Sequence, residues 1–236
     1  MNERKRWVVV FVYAVAMAWV EAAVVLYLRT MFHRIDPYQA NPMPMSGNLG
    51  AVEVAREAAT MVMLLTVGIL AGHTWRRRIG YIAVAFGAWD IFYYIFLNIM
   101  CGWPRSVMDW DVLFLIPLPW WGPVLAPMLI ASLMIFWGTF ASQFEHVRRP
   151  VLPELAAAGT GLIGAMIGLL VFMTDSMAAV SHGATAVRNV LPKSFNWSLF
   201  CVALLLMAAP VMHLGWQSWM ELACEKRRNA LALEEG

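Results

Sequence analysis

The sequence predicts an all-α, polytopic membrane protein with six transmembrane helices, and three observations support this fold class. Of the 236 residues, 61% are hydrophobic and only 14% are charged, whereas about a quarter of an ordinary soluble domain is charged. Six segments reach the length of about 20 apolar residues that a spanning helix needs. The basic residues collect in short clusters between these segments. Lipid is therefore the expected solvent of most side chains.

The six predicted spans cover nearly the whole chain. Their approximate ranges are 7–28, 51–71, 79–101, 122–142, 154–173 and 197–219. The first apolar run is longer than the core of about 7–15 residues in a signal peptide, and no small-residue cleavage site ends it. We therefore expect it to be a retained helix. No soluble domain or internal repeat is visible, so residues 1–236 are expected to form one integral membrane domain.

The distribution of Lys and Arg predicts the orientation. If the spans alternate in direction, one side of the membrane receives Arg4, Lys5, Arg6, Arg76, Arg77, Arg78, Arg148, Arg149, Lys226, Arg227 and Arg228. The other side receives Arg29, Arg34, Arg105, Arg188 and Lys193. Because short cytoplasmic loops retain basic residues, both termini are expected in the cytoplasm. The expected location is a bacterial-type inner membrane.

The connection between the third and fourth spans is unusually apolar. Pro117 and Pro119 interrupt it, and a regular helix does not tolerate this pattern. Three tryptophans, Trp110, Trp120 and Trp121, are of the type that collects at membrane interfaces. We expect this Pro/Trp-rich segment to lie in the interface or to dip partly into the bilayer.

Four ionisable residues fall inside predicted spans, where hydrocarbon disfavours them. Glu21, Arg56, Glu57 and Asp90 each oppose insertion by about 2.5–3.5 kcal/mol at mid-membrane. Residues of this kind face a protein interior or a hydrated cavity, and they pair with one another or serve a function. They are the first candidates for a functional site.

The depths of the three acids agree. At about 1.5 Å per residue, Glu21 lies roughly 12 Å, Glu57 roughly 9 Å and Asp90 roughly 16 Å below the outer edge. Helical spacing adds further polar neighbours on the same faces. The predicted substrate- or ion-binding set is Glu21, Glu53, Arg56, Glu57, Asp90 and Tyr94.

This predicted cluster has two interpretations. One is a structural ion-pair network in which Arg56 neutralises Glu57 or Glu21 and joins the first three helices. The other is a polar cavity, open to the outside, that binds a cation, protons or a polar group. Since one arginine cannot neutralise three acids, a bound cation or a proton is expected. Asp109 and Asp111 flank Trp110 in the external loop, and they form either a gate or a solvated turn.

Signals for metals and cofactors are weak, and no cofactor is predicted. His33 and His182 are candidates to join the acids in a metal site, but no HExxH-type spacing is present. Met31, Met43 and Met45 with His33 favour either copper(I) or simple interfacial anchoring. Haem needs two axial ligands at matched depth. Of the candidates His73, His146 and His213, only His213 lies clearly within a helix, so haem is not expected.

Cysteine and glycine patterns give two further expectations. Cys101 and Cys201 both fall near the predicted outer face, so a disulfide between them is conceivable. Residues 159–164 match GxGxxG, yet no strand precedes them, so they are not a nucleotide loop. Gly164 and Gly168, with Gly161, instead predict close packing of the fifth span on a neighbouring helix or a second protomer.

Three functional hypotheses remain open. The first is cation- or proton-linked transport or conduction. The second is a non-catalytic subunit or assembly factor, docked in a homo-oligomer or larger membrane complex through the fourth to sixth spans. The third is a membrane enzyme, metal-dependent or not, acting on a lipid or lipid-linked substrate. The expected partner is the lipid bilayer. Nucleic-acid binding is not expected, because the net charge is only +2 and the basic residues are scattered.

Overall fold

A computed structural model describes residues 1–42, 48–144 and 151–234 of the chain. The elements in chain order are α1 (Glu3–Met31), α2 (Leu49–Ala71), α3 (Trp75–Cys101), β1 (Trp110–Val112), β2 (Trp121–Pro123), α4 (Leu125–Gln143), α5 (Val151–Val180), α6 (Ala184–Arg188) and α7 (Trp197–Glu234). By length and composition, α1 to α5 and α7 can each cross a membrane. The prediction of six helices long and apolar enough to span a membrane is therefore confirmed.

Several boundaries differ from those predicted. Helix α5 continues to Val180 and α7 to Glu234, beyond the predicted ends at 173 and 219. Helix α4 begins only at Leu125, because Trp121–Pro123 pairs with Trp110–Val112 as an antiparallel strand. The small sheet departs from the predicted all-α fold, and the short helix α6 is an additional element that was not predicted. Hydropathy does not detect them, since both lie between the apolar segments.

Local sequence signals explain where α1 and α3 begin and where α3 ends. The side chain of Asn2 accepts a hydrogen bond from the amide of Lys5 at 2.9 Å, and Thr74 caps α3 through the amide of Arg77. Such side chains satisfy amides that have no partner in the first helical turn. Gly102 ends α3 in the left-handed region with a φ of 68°, which glycine adopts at low cost.

Helix α3 lies at the centre of the fold and packs against α1, α2 and α4. Its contact with α4 depends on glycine, because a Cβ on Gly80 would lie only 2.9 Å from the carbonyl oxygen of Gly138. A Cβ on Gly138 would likewise meet the backbone of Gly80. The two helices therefore approach at backbone distance, as small residues allow in membranes.

Replacing Gly138 with Ala is expected to destabilise this helix pair by about 1–3 kcal/mol, because backbone atoms cannot rotate away as a side chain can. Gly159→Ala in α5 is a matched control, since no heavy atom lies within 4 Å of an added Cβ there. The control should be neutral or slightly stabilising. Thermal unfolding in detergent compares the two, and equal melting temperatures would contradict the proposed packing.

The glycines of α5 pack against α7 of the same chain. A Cβ on Gly164 would lie 2.6 Å from the carbonyl oxygen of Ala203, and one on Gly161 would lie 2.9 Å from the ring of Pro210. Close packing on a neighbouring helix was one of the two predicted roles of these glycines. They are therefore covered within the chain.

The two ends of the bundle carry different contacts. At one end, here called the basic end, Arg6 donates to the carbonyl oxygen of Ala71 at 2.9 Å and Arg77 pairs with Glu3 at 3.2 Å. At the other, here called the hairpin end, Arg29 contacts Asp111 beside the small sheet. Helices α1 to α3 therefore alternate in direction.

The Pro/Trp-rich segment folds across the hairpin end. Within it, the amide of Leu113 donates to the carbonyl oxygen of Trp120, and the hydroxyl of Ser176 in α5 donates to that of Pro119 at 2.6 Å. Trp121 is only 1% exposed, so its expected role in an interfacial belt is wrong. It is a core residue, because strand pairing turns it towards the bundle.

Candidate functional site

A cavity of about 160 Å³ lies among α1, α2, α3 and the segment around β1. The six side chains that the sequence predicts for the site all line it, namely Glu21, Glu53, Arg56, Glu57, Asp90 and Tyr94. Asp111, predicted as a gate residue, lines it as well. Tyr93, which the sequence offered with Tyr94 as a hydrogen-bond donor near the site, also lines it. Further lining residues that the sequence did not single out include Arg29, Arg34, Thr60 and Trp89.

Helical spacing explains how these side chains converge. Glu53, Arg56, Glu57 and Thr60 recur at intervals of three and four residues, so they share one face of α2. The faces of α1 around Glu21 and of α3 around Asp90 complete the wall. Three helices therefore form the walls of the cavity, and residues 110–123, here called the hairpin segment, cover part of it.

Arg56 joins the acids of two helices. Its guanidinium donates to Glu21 of α1 and to Glu53 of α2, and its Nε lies 3.0 Å from the Oε1 of Glu53. Thr60 donates a further hydrogen bond to Glu21 at 3.1 Å. An ion-pair network around Arg56 therefore exists, with Glu53 rather than Glu57 as the second acid. It joins α1 to α2, whereas the predicted connection to α3 does not occur among the described ion pairs.

Glu57 is held by the backbone of the hairpin segment. Its Oε2 accepts a hydrogen bond from the amide of Leu115 at 3.0 Å. The side chain is 9% exposed, and no ion pair to it occurs among the described residues. Glu57 therefore connects α2 to the segment that covers part of the cavity while keeping its own charge uncompensated.

Asp90 is the least satisfied acid of the cavity. The residue is 8% exposed, and its Oδ2 has no hydrogen-bond partner among the described residues. The neighbouring indole N–H of Trp89 is also without a partner there. A buried ionised carboxylate is unfavourable unless it is paired. The chemistry of this position therefore favours a proton or a bound cation on Asp90.

Arg29 and Asp111 form a second ion pair at the mouth of the site. Their side chains meet at 2.8 Å, and the Cζ of Arg29 lies 4.0 Å from the ring centroid of Trp103. This geometry combines a charge-assisted hydrogen bond with a cation–π contact. Asp111 is 1% exposed, so the pair connects the last turn of α1 to β1 inside the protein.

The titration of Asp111 gives a testable pH dependence. Burial raises the pKa of this carboxyl from 3.8 to about 6, although Arg29 opposes the shift. The folded protein therefore binds the proton more tightly than the unfolded chain. The resulting contribution to stability is complete below about pH 4 and is lost as the pH rises through about 6.

Thermal unfolding of the parent and of Asp111→Asn between about pH 4 and pH 7 checks this linkage. The parent is expected to lose stability relative to the variant as the pH rises. A difference in melting temperature that stays constant over this range would contradict the prediction.

Asp109 does not line the cavity, so the structure does not place it as a gate. Its carboxylate accepts hydrogen bonds from the amides of Arg105 at 2.7 Å and Ser106 at 3.3 Å. A short side chain commonly holds a turn in this way. The alternative interpretation of a turn residue applies to Asp109.

The weaker candidates lie elsewhere. His33 and His182 are exposed and do not line the cavity, and His213 contacts Gln217 at 2.9 Å. Met43, Met45 and His146 lie outside the described residues. Within residues 1–42, 48–144 and 151–234, no group of three His, Cys, Asp or Glu is placed to hold a metal ion. Cys101 and Cys201 are free thiols, so the conceivable disulfide between them is absent.

No protein-family model, curated protein or solved structure matches this chain. The function is therefore argued from the chemistry of the cavity. Its lining includes five carboxylates, those of Glu21, Glu53, Glu57, Asp90 and Asp111, against the three guanidinium groups of Arg29, Arg34 and Arg56. The formal charge of the lining is negative when all acids are ionised.

Proposed function

We propose that this protein binds a cation or protons in the carboxylate-lined cavity and uses that binding for cation- or proton-linked transport or conduction. The observation that carries the proposal is the buried carboxyl of Asp90, whose Oδ2 lacks a hydrogen-bond partner within the described part of the chain. Intramembrane acids of this kind mark ion pathways and proton relays.

The remaining contacts of the cavity support the same chemistry. Glu21 and Glu53 share Arg56, and Asp111 pairs with Arg29. Glu57 and Asp90 are the two lining acids that no described arginine neutralises. An excess of two carboxylates attracts a positive ligand, and protonation of either acid would release it.

The proposed orientation places the cavity towards the outside. Arg4, Lys5, Arg6 and Arg76 to Arg78 lie at the basic end or in the adjoining turn. Under the positive-inside tendency, this end faces the cytoplasm of a bacterial-type inner membrane. Both termini are then cytoplasmic, and a cation would enter at the hairpin end.

A packed core lies between the cavity and the basic end. Val10, Ala14, Leu64, Val84 and Ala88 are each at most 2% exposed. Transport would therefore require α1 to α3 to rearrange. In the described conformation, the cation site would be accessible from the hairpin end only. Such a movement would change the packing of α1 and α2 against α3.

Flux through proteoliposomes tests the proposal. A trapped pH-sensitive dye would report proton movement after a sodium, potassium or choline gradient is imposed. Glu57→Gln keeps an acceptor for the Leu115 amide but removes the charge, so a several-fold lower flux is expected. Asp175→Asn changes an exposed acid of α5 outside the cavity and should match the parent. Flux in the parent equal to that of protein-free liposomes would refute the proposal.

One observation favours an enzyme acting on a lipid-linked substrate as the second candidate. An apolar groove of about 710 Å³ borders the cavity at Leu115 and is lined in part by Val54, Leu118 and Val187. Such a groove suits an acyl chain beside a polar head. Turnover of a lipid by the purified protein, without cation-dependent flux, would favour this candidate. For the subunit hypothesis, Gly161 and Gly164 of α5 offer no support, because α7 packs against both.

A further inference from the structure

Five aromatic residues also line the cavity, and they are here called the aromatic wall. They are Phe32, Trp89, Tyr93, Tyr94 and Phe114. Ring contacts fix their positions, with Trp89 and Tyr93 stacked at 6.3 Å and Tyr93 and Tyr94 edge-on at 5.0 Å between centroids. Faces of such rings attract cations, most strongly in desolvated sites.

The oxygen atoms of the cavity are poorly suited to a bare metal ion. Ca²⁺ takes about 6–8 oxygen ligands and Mg²⁺ about six in strict geometry. Here Glu21 and Glu53 are engaged by Arg56, and Asp111 is engaged by Arg29. No metal-holding group of three His, Cys, Asp or Glu side chains occurs among the described residues. Glu57 accepts a hydrogen bond from the amide of Leu115, so Asp90 is the lining acid with an unpartnered buried oxygen among the described residues. Such a carboxyl beside several rings matches a monovalent cation whose charge is surrounded by carbon atoms.

The size of the cavity limits the ligand. At about 160 Å³, it is close to an engineered protein cavity of about 150 Å³ that holds benzene. A ligand with roughly six non-hydrogen atoms therefore fits. This size excludes a polyamine or a whole phospholipid from complete enclosure but admits a small amine.

We propose that the ligand of this site is a small organic monocation, a primary or methylated amine whose ammonium group pairs with Asp90 and whose carbon atoms contact Trp89, Tyr93 and Tyr94. The inference rests on the proposed cation-binding function and specifies the class of cation. The aromatic wall selects such a ligand over Na⁺ and K⁺, because a small inorganic ion loses more hydration free energy on entering a ring-lined site than an alkylated ammonium does.

Calorimetric titration of the purified full chain tests the ligand class. Choline chloride is the probe, dimethylbutanol is its uncharged carbon analogue, and sodium and potassium chloride are the inorganic comparisons. Saturable choline binding is expected, with no comparable binding of the alcohol or the salts. Asp90→Asn should weaken choline binding by about tenfold or more, because the quaternary ammonium has no N–H to donate and depends on the negative charge of the carboxylate, which the amide lacks.

A pair of variants at Tyr93 separates the aromatic contribution from general damage to the fold. Tyr93→Phe keeps the ring, whereas Tyr93→Leu removes it from this half-buried position. Choline affinity should stay within about twofold in the first and fall about fivefold or more in the second, as expected for loss of one cation–π contact. Equal affinity in the two variants would overturn the role of the ring.

The outcomes distinguish the two proposals. Asp90-dependent binding of sodium or potassium without choline binding would overturn the organic-cation inference and leave the cation-binding function standing. Dimethylbutanol binding as tightly as choline would also overturn the inference, since an apolar pocket alone would then explain affinity. Absence of binding by all three cations, together with absence of proton flux, would overturn both.

Discussion

Asp90→Asn is expected to lower cation- or proton-linked flux by about tenfold or more while leaving the fold intact. The amide has nearly the shape of the carboxyl but can neither exchange a proton nor carry negative charge. Since the Oδ2 of Asp90 makes no hydrogen bond within the described structure, the substitution removes no known contact of that atom. Flux in proteoliposomes should fall about tenfold or more, because charged hydrogen bonds contribute about 1.5–3 kcal/mol.

The thermal stability of this variant separates function from folding. Replacing a buried ionisable group with a neutral one should leave the melting temperature unchanged or raise it. Asp175→Asn serves as the matched control, since it neutralises an acid at the hairpin end of α5 that is exposed and outside the cavity. Flux that remains at the parental level in a well-folded Asp90→Asn protein would contradict the role of this carboxyl.

Arg56→Met is expected to produce the largest loss of stability. The arginine is the common partner of Glu21 and Glu53, and its side chain is 20% exposed while each acid is 11% exposed. Removing one partner of a buried pair costs about 3–5 kcal/mol, because the other charge stays buried. Because these side chains are partly exposed, we expect the loss of unfolding free energy to lie near the lower limit of this range, at about 3 kcal/mol. Thermal or denaturant unfolding in detergent measures it.

Neutralising the two acids should restore stability to the Arg56→Met protein. With Glu21→Gln and Glu53→Gln added, no uncompensated charge from this network remains, and the triple variant should regain most of the loss. Arg56→Lys is a further control, because a lysine keeps the charge but cannot donate to both acids with a planar fork. A triple variant no more stable than Arg56→Met would show that the network is not the source of the effect.

Much of this architecture follows from the sequence for a simple physical reason. Hydrocarbon requires long apolar helices, so the six spans can be read from length and composition. The same requirement makes Glu21, Arg56, Glu57 and Asp90 conspicuous, and helical geometry gives their depth and face. The structure places all four around one cavity. Glu53 and Tyr94 were found because they share helical faces with these residues.

The parts that the sequence did not reveal depend on contacts distant along the chain. Arg29 was counted as a loop charge because it lies in the last turn of α1, yet it pairs with Asp111 of β1 across the hairpin end. The hydrogen bond from the amide of Leu115 to Glu57, 58 residues apart in sequence, also has no signal in the local pattern. The short strands carry no hydropathy signal, so the burial of Trp121 could not be foreseen.

Proton release on cation binding is the most direct test of the claim that the Asp90 carboxyl exchanges a proton for a cation. Purified protein in weakly buffered detergent solution would be titrated with choline chloride or sodium chloride near neutral pH while the pH is recorded. The parent should release protons to a saturating level with at least one of these cations, Asp175→Asn should do the same, and Asp90→Asn should release none. Equal release by Asp90→Asn, or no release by the parent with either cation, would contradict the account.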